Sequence, residues 1–182
     1  MTTVHRQYIP DVGEVTLRPV RPAADAPLIH GWVTRPVNRF WGMGDYQVHD
    51  VREVYAYLDA STTHHAYLIR LDGRPVGIFQ TYLPAHDPVG ECYPVRPGDI
   101  GVHLLLCPGV RPPRGLAAGL FPMLIRFALA DPSRDRIVVE PDARNAFALR
   151  RLRLLGFSLE KRIDMAGKSA QLAFLDRDRV PA

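Results

Sequence analysis

Residues 99–108, Asp-Ile-Gly-Val-His-Leu-Leu-Leu-Cys-Pro, place an imidazole, His103, inside a run of Ile, Val and Leu that reads as a buried strand. An imidazole titrates near neutrality, so it suits general acid or base work. A lone histidine in an apolar strand can equally be a core residue hydrogen-bonded to a neighbour. The segment that follows, Leu-Leu-Leu-Cys-Pro-Gly-Val-Arg-Pro-Pro-Arg-Gly-Leu-Ala-Ala-Gly-Leu, is a strand, a Gly-containing turn and a helix start. Backbone N–H groups at a helix N-terminus lack intrahelical partners and favour an anion, and Arg111 and Arg114 add charge. The turn is therefore a pyrophosphate cradle or a solvated turn. Trp41, in a Phe-Trp pair, is a core anchor or the wall of a substrate pocket. Cys92 and Cys107 lack a His or Asp partner in any supporting motif and read as structural. His64 and His65 lack a third ligand, so no metal site is expected.

The elements that must position these residues follow from periodicity and turn signals. Residues 14–20 read as a first strand, and Leu28, Ile29 and Trp32 mark a short helix over 25–32. Residues 50–60 open with Asp50 and carry Glu53 three positions on, which predicts a capping box with Val54, Tyr57 and Leu58 as the buried stripe. Asp72-Gly73 between two apolar runs predicts a type I′ hairpin. Residues 84–98, with prolines at 84, 88, 94 and 97, read as a long loop. Residues 100–106 form the strand of His103. In 111–132, Leu116, Leu120, Met123, Leu124 and Phe127 share a helical face. Pro132 stops that helix, and Pro122 demands a kink or a late start. Residues 136–140 form a short strand. Residues 145–157 form a helix with Asn145 as N-cap and Gly156 as C′ glycine, burying Ala148, Leu149, Leu152 and Leu155. A last strand covers 171–175. Antiparallel strands in front and a β-α-β-α-β run behind predict an α/β fold with a central mixed sheet flanked by helices.

The chain has 182 residues, 47% apolar and 23% charged, enough for one well-packed domain over 1–182. No apolar run reaches the length of a membrane span, and the N-terminus lacks a secretory h-region, so a cytoplasmic protein with no membrane partner is expected. A net charge of +4 is mildly basic. The arginines are dispersed without interleaved aromatics, so no nucleic acid partner is expected, and a localised anion site accounts better for the charge.

The combination resembles the GCN5-related N-acetyltransferase superfamily over essentially the whole chain. "VRPPRG" followed by "LAAGL" sits where that superfamily has its acyl-CoA loop, and "NAFALRRLRLLGF" matches its N-x-x-A-x-x-x-Y-x-x-x-G-F pattern through Asn145, Ala148, Gly156 and Phe157. "RFWGMG" (39–44), "GDIGVHLL" (98–105) and "VVEPDARN" (138–145) are similar to signatures of its siderophore branch, the hydroxylysine acetyltransferases and mycobactin-type lysine acyltransferases. The resemblance implies His103 as general base, with Asp142 on a neighbouring parallel strand orienting the substrate or the imidazole. It implies acetyl-CoA or another acyl-CoA as co-substrate, held by Arg111, Arg114, Gly115, Leu116 and Ala117. Asn145 would assist, and strand N–H groups around Leu105 would form an oxyanion site. Trp41 and Asp142 would meet the acceptor. Two positions depart from the pattern: Pro113 replaces the first glycine of the acyl-CoA loop, and Leu152 replaces the tyrosine that many members use as general acid.

An N-hydroxylated amine fits the missing tyrosine, because its nitrogen is largely neutral at pH 7 and needs only a base as it attacks the thioester. The expected activity is therefore acyl transfer to a hydroxylysine, hydroxyornithine or hydroxydiamine in hydroxamate siderophore biosynthesis, by a monomer or homodimer. The competing expectations are an aminoglycoside 6′-N-acetyltransferase-like enzyme and a non-catalytic CoA-binding domain.

Overall fold

Two short strands begin the chain. β1 (His5–Ile9) pairs antiparallel with β2 (Gly13–Pro19), with His5 opposite Leu17. The structure, a computed structural model, describes residues 2–107, 115–165 and 167–180. The chain contacts group into two units, Met1–Gln80 with Leu104–Leu120, and Thr81–His103 with Phe121–Ala182.

In the first unit β2 continues antiparallel into β3 (His64–Leu71), which turns into β4 (Arg74–Tyr82). Asp72 and Gly73 between them have φ of 46° and 78°, the double positive φ that a type I′ turn requires. α1 (Pro22–Val33) opens on a proline, whose missing N–H has no partner to lose there. It packs with α2 (Val48–Ala60) over a core that includes Ile29, Val33, Val51, Tyr55, Leu68, Ile78 and Leu105. Arg18 of β2 is buried beneath α1 and meets Asp25 through two hydrogen bonds of 2.7 and 2.8 Å. A buried guanidinium is tolerable only when paired in this way.

Capping on α2 differs from the sequence expectation. The N-cap is Gln47, whose N–H donates to Asp50 Oδ2 at 2.7 Å, so Asp50 is the N3 member of the box. The helix starts a turn earlier, and its buried row is Val51 and Tyr55 with Leu58 half-buried, while Tyr57 is 70% exposed. With Gln47 as the cap, Val51 falls inside the helix and joins the buried row.

The second unit holds the end of β4, the 84–98 loop, most of β5 (Asp99–Leu106) and the strands after it. β5 pairs parallel with β6 (Arg136–Val139), with Gly101 opposite Val138, and α3 (Leu116–Ala128) supplies the crossover. β6 pairs antiparallel with β8 (Lys168–Asp176), which forms a hairpin with β7 (Ser158–Met165) through Gly167 at φ 83°. The strand order is β1-β2-β3-β4-β5-β6-β8-β7, the mixed α/β sheet that the alternation of elements implied. β1 and β7 lie outside the strands expected from the sequence.

Local signals decide the remaining ends. α3 runs unbroken through Pro122 and stops at Ala128, before Pro132. α4 (Ala146–Leu154) is capped by Asn145, whose side chain accepts from Ala148 N–H at 3.1 Å. At its other end Phe157 N–H donates to the Leu152 carbonyl and Gly156 N–H to that of Arg153, the Schellman pattern. The 84–98 loop is fastened at its end. Asp99 takes two hydrogen bonds from Arg136 (2.7 and 2.8 Å), one from Tyr93 Oη (2.9 Å) and one from Arg96 N–H (2.9 Å).

Candidate active site

His103 sits at the fifth position of β5, and the parallel register with β6 determines what faces it. Gly101 lies opposite Val138, so two residues further His103 comes level with Glu140, just past the end of β6. The His103 Nε2 to Glu140 Oε1 distance is 2.5 Å. The Glu140 side chain is 2% exposed and that of His103 36%, so the imidazole is the part of the pair that a small molecule can reach.

Two more donors converge on the same carboxylate. Tyr82, at the end of β4, donates its hydroxyl to Glu140 Oε2 at 2.6 Å. Lys168, first residue of β8, donates to the Glu140 backbone carbonyl at 2.8 Å and reaches Oε1 at 3.4 Å. The Tyr82 and His103 rings lie 5.0 Å apart between centroids. Gly101 makes this possible, for a Cβ there would overlap the Tyr82 ring. A glycine inside a strand often marks such a close approach.

The electrostatics follow from this packing. Burial pushes the Glu140 carboxyl up, but the His103 imidazolium, Lys168 and the Tyr82 hydroxyl outweigh it and hold the group down at about 2. Burial pulls the His103 imidazole down, and the Glu140 carboxylate more than reverses that, so its pKa stands above the ordinary 6.5. Lys168 opposes this rise and Asp87 of the 84–98 loop adds to it. Tyr82 is driven far up by burial and by Glu140, and so remains a neutral donor.

Asp142 lies two residues past Glu140, and its carboxylate has other partners. Its Oδ1 accepts from the Arg144 backbone N–H (2.8 Å) and Nε (2.9 Å), and its Oδ2 from Arg144 Nη2 (2.7 Å). These bonds hold its carboxyl down at about 2. Its backbone bridges to Ala170 and its carbonyl accepts from Asn145 N–H at 2.9 Å. Asp142 and Asn145 thus shape one corner between β6 and α4. The carboxylate bonded to the His103 ring is that of Glu140. Glu140, Tyr82 and Lys168 are not among the sequence-predicted site residues, although Glu140 lies within the Val-Val-Glu-Pro-Asp-Ala-Arg-Asn segment and Gly101 marks the close approach of the Tyr82 ring.

Of the residues expected to meet acyl-CoA, Arg111 and Arg114 lie outside the described residues. Gly115 follows with φ 88°, its carbonyl accepting from Gly119 N–H, and Leu116 and Ala117 open α3. The Leu105 side chain is in the core of the first unit, and a Cβ at Gly77 would come within 2.5 Å of its carbonyl oxygen. Trp41 packs partly buried against that same core and hydrogen-bonds the Tyr55 hydroxyl, which burial pushes far up and so keeps neutral. Among the described residues no group of three or more His, Cys, Asp or Glu is arranged to hold a metal ion. No helix among them is long and apolar enough to cross a membrane.

Comparison with known proteins places this arrangement in a family. The acetyltransferase (GNAT) domain model matches residues 21–165, and the chain belongs to that family. It is 30% identical to the N(6)-hydroxylysine O-acetyltransferase of Escherichia coli over 96% of its own length and 56% of that protein. It is 29% identical to the lysine N-acyltransferase MbtK of Mycobacterium sp. (strain MCS), over 91% of this chain and 68% of that one. The chain thus spans little more than half the length of the first of these relatives. Among solved structures, aminoglycoside acetyltransferase AAC(6')-Ib in complex with coenzyme A aligns with a TM-score of 0.78 at 25% identity, over 91% of this chain and 96% of that one.

Proposed function

We propose that the chain is an acyl-CoA-dependent N-acyltransferase whose acceptor is an N-hydroxylated amine of the hydroxylysine type. The observation that carries this reading is a half-exposed imidazole on a central strand, bonded at 2.5 Å to a buried carboxylate whose pKa is held well below the usual carboxylate range. Such an imidazole is a base that works near neutral pH. It takes the proton that the acceptor nitrogen gives up as the new C–N bond forms and the thioester C–S bond breaks. The proton then passes to the departing thiolate. Gly115 and the first turn of α3, with Arg111 and Arg114 before them, receive the phosphates of the co-substrate. Asp142 and its partner Arg144 border the acceptor.

Both curated relatives are named for lysine-type acceptors, which supports a lysine-like chain over a sugar. The likeness to AAC(6')-Ib favours a second reading, acyl transfer to an aminoglycoside. An assay of thiol release with N6-hydroxylysine, hydroxycadaverine, lysine and kanamycin separates them. Turnover of the hydroxylated amines with a product that gives a coloured Fe(III) hydroxamate is expected. Preference for kanamycin overturns the siderophore-type reading, and equal turnover of lysine and hydroxylysine overturns the N-hydroxylated acceptor. A colourless product at full thiol release places the acyl group on oxygen instead.

A further inference from the structure

We infer that Glu140, and not Asp142, is the positioning residue of His103, and that it fixes the neutral imidazole with its proton on Nε2 and its basic lone pair on Nδ1. The inference rests on the acyltransferase reading and deepens it by naming the atom that takes the proton.

An ionised carboxylate only accepts hydrogen bonds, so whichever ring nitrogen faces it must carry hydrogen. Nε2 is that nitrogen, at 2.5 Å from Oε1. Glu140 stays ionised because Tyr82 Oη and Lys168 Nζ donate to the same side chain. Tyr82 is held in turn by the space that Gly101 leaves for its ring. The alternative orienting group, Asp142, has both oxygens committed to Arg144. The groups facing the imidazole are thus Tyr82 from β4, Asp87 from the 84–98 loop, Glu140 beyond β6 and Lys168 from β8. Glu140 bonds the ring at Nε2 through its Oε1. This is the arrangement in which a carboxylate holds an imidazole in one tautomer and stabilises its protonated form.

The test is a nuclear magnetic resonance titration of isotope-labelled histidine, with the His103 signals assigned from their loss in His103→Gln, run beside kcat/KM against pH. In the wild type the neutral ring is expected as the Nε2–H tautomer, titrating above 6.5, with activity rising through the same value. Glu140→Gln should lower that titration and cut kcat by about 10²–10⁴-fold while acyl-CoA affinity changes less than twofold. Lys168→Met should move the titration the other way, because a cation opposing the imidazolium is gone. A neutral Nδ1–H tautomer, or a titration that neither variant moves, overturns the inference. Should Glu140→Gln fail to fold, an unmoved titration in Lys168→Met overturns it alone. The expected tautomer and shifts without acyl transfer to any amine overturn the acyltransferase reading and leave Glu140 as the group that orients the ring. Acyl transfer with the wrong tautomer sinks only the present inference.

Discussion

His103 separates two outcomes at the residue scale that a sequence alone leaves open. If its ring is the base, His103→Ala lowers kcat by about 10²–10⁴-fold at unchanged acyl-CoA affinity. If it served only the core, the same variant would lose stability and keep its turnover per folded molecule. Measuring both on one preparation decides. The pair with Glu140 also makes a pH-dependent contribution to stability. Glu140 has a depressed pKa, so its contribution is present above its ordinary 4.5 and is lost as pH falls towards about 2. His103 has a raised pKa, so its contribution is present below its ordinary 6.5 and is lost as pH rises through the folded value. Both are complete between 4.5 and 6.5. The difference in Tm between wild type and His103→Ala is therefore expected to peak in that window and shrink on either side. A flat difference across pH 3–9 would mean that the two groups do not interact. The imidazole itself was legible in the sequence, because a polar residue in an apolar strand stands out. Its carboxylate partner was not, because a parallel register joins residues 37 apart and leaves no local mark.

Single devices at the scale of the element set how the site is held, and two of them have measurable costs. Gly101→Ala forces a methyl group into the Tyr82 ring, and overpacking of this kind destabilises by about 1–3 kcal/mol. Because Tyr82 carries a hydrogen bond to Glu140, the variant should also shift the pH profile of activity. A loss of stability with an unchanged profile would separate the glycine from the site. Asn145→Ala removes the cap of α4 and should cost about 0.5–2 kcal/mol in denaturant midpoint measurements. The α4 ends, the Asp72-Gly73 turn and β5 were readable because each rests on local chemistry: a side-chain cap, a glycine with positive φ, a run of apolar residues. β1 and β7 were not. His-Arg-Gln-Tyr-Ile carries one buried apolar residue, with Tyr8 70% exposed, so its strand character comes from pairing with β2 rather than from its own pattern. β7 likewise reads as polar, Ser-Leu-Glu-Lys-Arg-Ile-Asp-Met, and is defined by its hairpin with β8. α2 shows the same limit at a cap, where Gln47 and Asp50 form the box that Asp50 and Glu53 would have formed one turn later.

For the whole molecule, a basic chain with a net charge of +4 and a highly anionic co-substrate should show binding that salt weakens. Any ligand that binds only the folded chain raises its stability by mass action, by about 2.7 kcal/mol when present at a hundredfold excess over Kd. For a chain of this size that corresponds to a rise in Tm of roughly 5–10 °C. Acetyl-CoA is expected to produce such a shift, and the shift should shrink as sodium chloride is raised from about 50 mM to 500 mM. Changing Arg111 and Arg114 together to Ala should remove most of it, since both precede Gly115 and α3 in the sequence and carry the charge expected to meet the phosphates. The proline at 113 bears on the same number. A proline has no backbone N–H to offer, so if this segment receives the phosphates as proposed, the two guanidinium groups would supply more of the attraction than in a glycine-rich loop. Pro113→Gly is therefore expected to strengthen binding and to make it less sensitive to salt. Acetyl-CoA that leaves Tm unmoved at millimolar concentration in low salt would remove the co-substrate, and with it the acyltransferase reading.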